Sequence, residues 1–324
     1  MAEQKIILSG VKPTGRPHLG NYFGAMKQFV DLQNDYRAFI MIADLHALTS
    51  VTDAETLRRD TLDVAIDYLT IGLDPARVTI FKQSSIPAHT ELAWIFNCLT
   101  AMPFLARAHA FKDAEAKNRE VNVGLFTYPL LMAADILLYN TDLVPVGQDQ
   151  KQHVEIARDA AEKFNRTFGE IFKLPEPLIL EQVKTVIGLD GRKMSKSYRN
   201  TIPLFSDERE LKQLVMAIKT DSKGETEAKN PEECNVFALH RLFAAENLPE
   251  LKRRYVEGTI GYRESKEILF ENMNHFLAPL RAKRADIANR PADVRAMLDR
   301  GAVVARKVSE EKMSKVWEAV GLSG

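Results

Sequence analysis

Up to Ile187, short apolar runs alternate with longer amphipathic stretches, and this alternation constrains the fold more than any other property of the chain. Ile6-Ile7-Leu8, Phe39-Ile40-Met41-Ile42, Val78-Thr79-Ile80-Phe81, Val144-Pro145-Val146 and Val186-Ile187 read as buried strands. A helical stretch from Leu57 to Ile71, stopped by Gly72, separates the second strand from the third. The pattern predicts an α/β class with a doubly wound, parallel, Rossmann-type sheet. Ligands of such sheets sit at the carboxyl ends of the strands, where Asp44 and His46 fall. From about Pro203 to Leu280 the strand pattern stops, and Leu211, Leu214, Val215 and Ile218 keep helical spacing. The expected organisation is a Rossmann-type domain over 1–200, an α-helical domain over 201–285, and C-terminal helices over 286–324 that pack back on the first domain.

Two motifs carry chemistry. Pro13-Thr14-Gly15-Arg16-Pro17-His18-Leu19-Gly20-Asn21 follows the first strand and precedes a helical pattern (Phe23, Met26, Phe29, Val30), so its backbone amides can face an anion. Far downstream, Lys193-Met194-Ser195-Lys196-Ser197 sits in a polar turn after Gly188 and Gly191. Two lysines flanking a small serine can close over the β- and γ-phosphates of ATP and neutralise charge as pyrophosphate leaves. Each motif alone is a weak signal, because glycine-proline turns are common and a serine between lysines is usually solvated. Lys312-Met313-Ser314-Lys315 nearly repeats the second motif, but Val316, Trp317 and Val320 follow at helical spacing, so it reads as a helix face. Loop context and order relative to His18 single out the Lys193 copy.

At 324 residues the chain exceeds the usual single-domain size. Lysine plus arginine equals aspartate plus glutamate, at 44 each, so contact with nucleic acid has to come from a local patch. From Arg281 onward ten basic residues face six acids, a mild excess that also fits a solvated helix face. Cys98 and Cys234 lie far apart without a pairing pattern, which points to a reducing compartment. The polar start Met1–Lys5, an apolar run too short for a signal peptide and the lack of a membrane span predict a cytoplasmic protein.

The segment Thr127 to Leu138 offers a ligand pocket. Tyr128, Met132 and Asp135 stand at i, i+4 and i+7, so one helix face presents a hydroxyl, a deformable thioether and a carboxylate, with Pro129 suited to a first helical turn. This set fits an aromatic ligand with one N–H. A buried Asp135 accepting from an indole would reject phenylalanine, because an unpaired buried carboxylate is costly. The alternative is an aspartate paired with an arginine or capping a neighbour, and on side-chain physics alone that is the commoner case.

His18-Leu19-Gly20-Asn21 and the intact Lys193–Ser197 motif resemble the paired HIGH and KMSKS signatures of class I aminoacyl-tRNA synthetases. Asn21 in place of the second histidine is typical of the tryptophanyl and tyrosyl branch, and it can still donate to a phosphate. The run from Tyr128 to Leu138, followed by Pro145-Val146-Gly147-Gln148-Asp149-Gln150-Lys151-Gln152-His153, is similar to bacterial tryptophanyl-tRNA synthetases, a resemblance that spans essentially the whole chain. It implies ATP binding by Lys12, Pro13, Thr14, Gly20, Asn21, Gly147, Gln148, Asp149, Val186 and Lys193, Met194, Ser195, Lys196, Ser197. His18, Asn21, Lys193 and Lys196 take the catalytic roles. Asp135 reads the indole nitrogen, Met132, Val144 and Val146 pack the ring, Tyr128 and Gln150 hold the ammonium and carboxylate, and His46 lines the pocket. The tyrosyl sister family commonly presents glutamine where Met132 stands.

The resemblance further implies L-tryptophan, ATP with Mg2+ and tRNA(Trp) as substrates, a homodimer, and an anticodon-binding role for the helical domain. The tryptophan carboxylate attacks the α-phosphate in line, and the acyl group then passes to the 2′-hydroxyl of the terminal adenosine. Ala114 stands where many relatives carry a second lysine after Phe111-Lys112, leaving Lys112 or Lys117 as substitutes. Lys12 stands where many relatives have glutamine. Of the four cysteines that hold an iron-sulfur cluster in some relatives only Cys234 remains, so neither a cluster nor zinc is expected. The apolar run Leu92–Phe96 with Leu99 and Met102–Leu105 reads equally as a dimer interface or as a core helix. A tyrosyl-specific enzyme, a nucleotidyltransferase of the same superfamily and a non-catalytic RNA- or tryptophan-binding regulator are the competing readings.

Overall fold

Five parallel strands form the sheet: β1 (Ile6–Val11), β2 (Arg37–Ile42), β3 (Val78–Lys82), β4 (Leu143–Val146) and β5 (Glu176–Ile179), in the order β3-β2-β1-β4-β5. Ile7, Phe39, Ile40, Ile42, Ile80 and Phe81 are almost fully buried, as expected of strands covered on both faces. The order reverses between β1 and β4, the switch point beside which sheets of this kind bind their ligands. The computed structural model describes residues 4–107, 122–147, 151–179, 185–244 and 246–323.

Contacts divide the chain into two units. One comprises Met1–Gly15, Phe29–Gln182 and Arg290–Gly324; the other comprises Arg16–Gln28 and Val183–Asn289. The first holds the sheet with the helices Ala54–Ile71, Ala88–Leu99, Val123–Leu137, Lys151–Phe168 and Pro291–Ala319. Asp53 caps the first of these through Thr56 N–H, and Gly72 ends it at a φ of 110°, which a β-carbon would oppose. The second unit holds Glu208–Met216, Asn235–Phe243, Leu248–Glu257 and Tyr262–Ala288, with Phe23, Phe243 and Phe276 meeting edge-to-face or stacked at centroid distances of 5.4 to 6.1 Å.

The grouping by contacts runs differently from a division at residue 200. Segments 16–28 and 183–200 belong with the helical residues because Leu19 N–H donates to Ile202 O (3.0 Å), Leu204 N–H to Pro17 O (2.9 Å) and Lys219 N–H to Leu189 O (2.8 Å). Val186-Ile187 is also not the last sheet strand. Ile187 instead bridges Lys193 in an antiparallel turn, and Glu176–Ile179 takes the sheet edge beside β4. Pro177 within it, and Pro175 just before it, disguise that strand in the sequence, and an edge position tolerates a proline. Pro129, expected in a first helical turn, lies inside the Val123–Leu137 helix. That helix begins earlier because the Asn122 side chain accepts from Leu125 N–H at 2.8 Å.

The Ala88–Leu99 helix buries Leu92, Ala93, Ile95 and Phe96 in the main core and leaves Trp94 68% exposed, with Met102 just beyond it 72% exposed. The C-terminal near-repeat of the lysine-serine motif is a packed helix face: Met313 and Val316 are buried, and Lys312 Nζ donates to Ile171 O at 2.8 Å. Burial and the neighbouring Lys315 pull the Lys312 ammonium down to about 8.

The Pro291–Ala319 helix lies against β3 and the helices Ala54–Ile71 and Ala88–Leu99. At Gly301 it comes so near the sheet that a β-carbon would fall 1.9 Å from the Ile80 carbonyl oxygen. Alanine in a helix interior ordinarily gains roughly 1 kcal/mol over glycine. Here the clash is with backbone, so Gly301→Ala is expected to destabilise by about 1–3 kcal/mol, read as a lower urea midpoint at unchanged slope.

Candidate active site

In the sheet-bearing unit, three elements deliver polar side chains to one buried carboxylate. Asp135 comes from the Val123–Leu137 helix, His46 from the short helix Asp44–Ala47 after β2, and Gln83 and His89 from the turn and helix after β3. His46 Nε2 lies 2.8 Å from Asp135 Oδ2, and Gln83 Nε2 donates to Oδ1 at 2.8 Å. His89 Nδ1 stands 2.6 Å from the same Oδ1, off the axis of an aligned hydrogen bond, so its hold is chiefly electrostatic. His89 Nε2 meets the Tyr139 hydroxyl at 2.9 Å. Asp135 is 1% exposed, and Gln83, His89 and Tyr139 are fully buried.

Burial alone would raise the Asp135 pKa. The charge of His89, then the hydrogen bond and the charge of His46, outweigh it, and the carboxyl is lowered to about 2. Asp135 is therefore an ionised acceptor at neutral pH. Tyr128, one helical face up the same helix, stands edge-on to His46 at 6.1 Å and to His153 at 5.8 Å, and burial pushes its hydroxyl up to about 12. Val144 is buried, and Met132 and Val146 are partly buried against the same core. The structure thus joins His46, Tyr128, Met132, Asp135, Val144 and Val146 in one unit, while Gln148, Asp149 and Gln150 lie outside the described residues, as do Lys112, Ala114 and Lys117. Lys12, at the carboxyl end of β1, donates to Thr49 Oγ1 at 3.0 Å, and burial lowers its pKa. Pro13 is buried and Thr14 exposed beside it, and Gly147 follows β4.

The other unit brings the two signatures together. His18 and Asn21 form a reciprocal cap, with Asn21 N–H donating to His18 Nδ1 (3.2 Å) and His18 N–H donating to Asn21 Oδ1 (3.1 Å). Since Nδ1 accepts, the His18 proton resides on Nε2, and Asn21 keeps its amide N–H groups as donors. Burial, and then the charge of Lys196, lower the His18 pKa to about 4. A β-carbon at Gly20 would fall 2.9 Å from His18 Nδ1 and 3.3 Å from the Met194 β-carbon. Glycine there lets the first signature close on the second.

Met194 is buried and donates its N–H to Val186 O (2.9 Å), which leaves Lys193 and Lys196 exposed on either side. Asn200 braces the turn from beneath: its Oδ1 accepts from Ser195 N–H (2.8 Å) and its Nδ2 donates to Asp190 (2.7 Å) and to Lys193 O (3.2 Å). The Asn200 bond, followed by those from Arg192, pulls the Asp190 carboxyl down to about 2. Ser195 Oγ accepts from Ser197 N–H at 3.3 Å. Gln83, His89, Tyr139 and Asn200 were not singled out in the sequence. Their only signal is position, immediately after β3 or next to a motif.

The family description tRNA synthetases class I (W and Y) matches residues 2–278. A tryptophan–tRNA ligase of Fusobacterium nucleatum is 49% identical over 319 residues, 98% of each chain. The chain belongs to the class I tryptophan–tRNA ligases. The ligase of Campylobacter jejuni is 46% identical over 98% of this chain and 99% of its own. A crystal structure of the tryptophanyl-tRNA synthetase from Campylobacter jejuni complexed with ADP and tryptophan superposes with a TM-score of 0.93, covering 98% of this chain and all of that one. Among such ligases a neutral histidine in the first signature has a direct consequence. Because the folded pKa of His18 lies below the ordinary 6.5, the folded state binds fewer protons than the unfolded chain between about pH 4 and 6.5. The stability that His18 contributes is intact above that window and is lost as pH falls through it. A carbon-detected NMR titration should show its ring neutral down to about pH 4, and Lys196→Ala should raise the midpoint only partway, burial being the larger cause.

Proposed function

We propose that this chain activates L-tryptophan with ATP to tryptophanyl-adenylate and transfers the acyl group to the 3′ end of tRNA(Trp) in the cytoplasm. The observation that carries the reading is the ionised Asp135 carboxylate, buried on the helix that also carries the partly buried, apolar Met132. An indole N–H is a donor without an acceptor, and a fixed anion recognises it in a way that phenylalanine cannot satisfy. Met132, Val144 and Val146 pack the ring, His46 lines the pocket, and Tyr128 and Gln150 hold the amino-acid end.

The tryptophan carboxylate attacks the α-phosphorus in line. The P–O bond to the β-phosphate breaks, and pyrophosphate leaves with the electron pair. No protein nucleophile is required. Neutral His18 donates through Nε2–H and Asn21 through its amide, while Lys193 and Lys196 balance the charge that accumulates on the leaving pyrophosphate. Lys12, Pro13, Thr14, Gly20, Gly147, Gln148, Asp149, Val186, Met194, Ser195 and Ser197 complete the nucleotide contacts. Mg2+ would come with ATP as part of the substrate and would supply positive charge at its phosphates. Among the described residues no group of three histidines, cysteines or acids is arranged to hold a metal separately. Residues 201–285 take the anticodon, 286–324 complete the catalytic layer, and Trp94 with Met102 supplies exposed apolar surface for a homodimer.

Pyrophosphate exchange into ATP without tRNA tests the assignment. Exchange is expected with tryptophan and not with tyrosine or phenylalanine; tyrosine-dependent exchange would replace the reading by the sister specificity. Asp135→Asn should raise the KM for tryptophan about 10- to 100-fold, the worth of a charge-assisted hydrogen bond, and leave the KM for ATP near its original value.

A further inference from the structure

Asp135 has four acceptor positions, and its neighbours do not use them evenly. Among the described residues, Oδ1 faces both Gln83 Nε2 (2.8 Å) and His89 Nδ1 (2.6 Å), whereas Oδ2 faces only His46 Nε2 (2.8 Å). The open lone pair therefore lies on Oδ2, the oxygen that faces His46. Gln83 and His89 are fully buried behind the carboxylate, and His89 is held in turn by Tyr139 and by Phe81, stacked against its ring at 6.2 Å. Burial and the charge of Asp135 push the Tyr139 hydroxyl up, so it stays protonated beside His89 Nε2.

We propose that Gln83 and His89 are positioning residues for indole recognition: by occupying Oδ1 they fix the carboxylate and leave one directed acceptor, on Oδ2, for the N–H of the substrate. The proposal rests on the reading of Asp135 as the indole acceptor. Neither residue touches the ligand; each acts through Asp135. Without them the carboxylate is free to rotate or to turn Oδ1 toward the pocket, and selection for an N–H donor weakens even though Asp135 remains.

The test compares tryptophan with β-(benzothiophen-3-yl)alanine, which keeps the ring shape and replaces N–H by sulfur. Pyrophosphate exchange gives the ratio of kcat/KM for the two substrates in the unaltered protein, in Gln83→Met, in His89→Ala and in His89→Asn, whose amide nitrogen takes the place of Nδ1. A ratio of about 10 to 100 is expected in the unaltered protein, the range of one charge-assisted hydrogen bond. It should fall about tenfold in Gln83→Met and His89→Ala, because tryptophan loses more than the analogue, and His89→Asn should restore most of it. If both substrates decline together at a constant ratio, the two residues are merely structural and the proposal is overturned. If the unaltered protein itself shows no preference, the Asp135 assignment fails first and takes this inference with it. Should His89→Ala fail to fold, as read by thermal melting, the Gln83→Met ratio decides alone.

Discussion

A carboxylate removed from water at position 135 is the constraint on which the sheet-bearing unit depends. Leaving such a charge without its partners costs about 3–5 kcal/mol, a large part of the net stability of an ordinary domain. The partners come from the end of β2, the turn after β3 and the helix that follows it, so strand register, turn and helix position all have to be right before the charge is tolerated. Replacement of this polar cluster by hydrocarbon would ease folding. Its retention fits a site that has to present a fixed anion to a ligand rather than fill space.

The signature turns solve the opposite problem. Lys193 and Lys196 are kept in water while the backbone that carries them is tied down, with buried Met194 and Asn200 as anchors. Gly188 has no room for a β-carbon, which would fall 2.4 Å from the Asn200 side chain. The turn is thus ordered by contacts beneath it, and its two cations need no contact with each other. His18 complements this arrangement as a donor without charge, since a second cation beside Lys196 would repel it.

Much of this was legible in the sequence because the relevant physics is local. The strands of the first four apolar runs, the helix around Leu211 and the packed character of the second lysine-serine motif all follow from spacing along the chain. Glu176–Ile179 was not legible, since Pro177 argues against a strand unless it is known to lie at an edge. Nor was the start of the helix that carries Asp135, where Asn122 caps it and Pro129 is accommodated within. At the site, Asp135, Met132 and Tyr128 share one helix, so periodicity placed them on one face, while their roles came from the resemblance. Gln83, His89 and Asn200 reach their partners only through tertiary contacts, which leave no trace in spacing, and Gln83 and His89 look unremarkable beside β3.

The seating of Gly301 on the Ile80 carbonyl also bears on how the protein is made. The layer over β3 is supplied by Pro291–Ala319, and the sheet-bearing unit is interrupted by residues 183–289 of the other. During synthesis β3, which ends at Lys82, therefore emerges about 200 residues before the helix that covers it, which starts at Pro291. At ribosomal rates of roughly 5–20 residues per second, that face stays uncovered for about 10–40 seconds. This is an interval in which a chaperone, or a neighbouring nascent chain, has access to it.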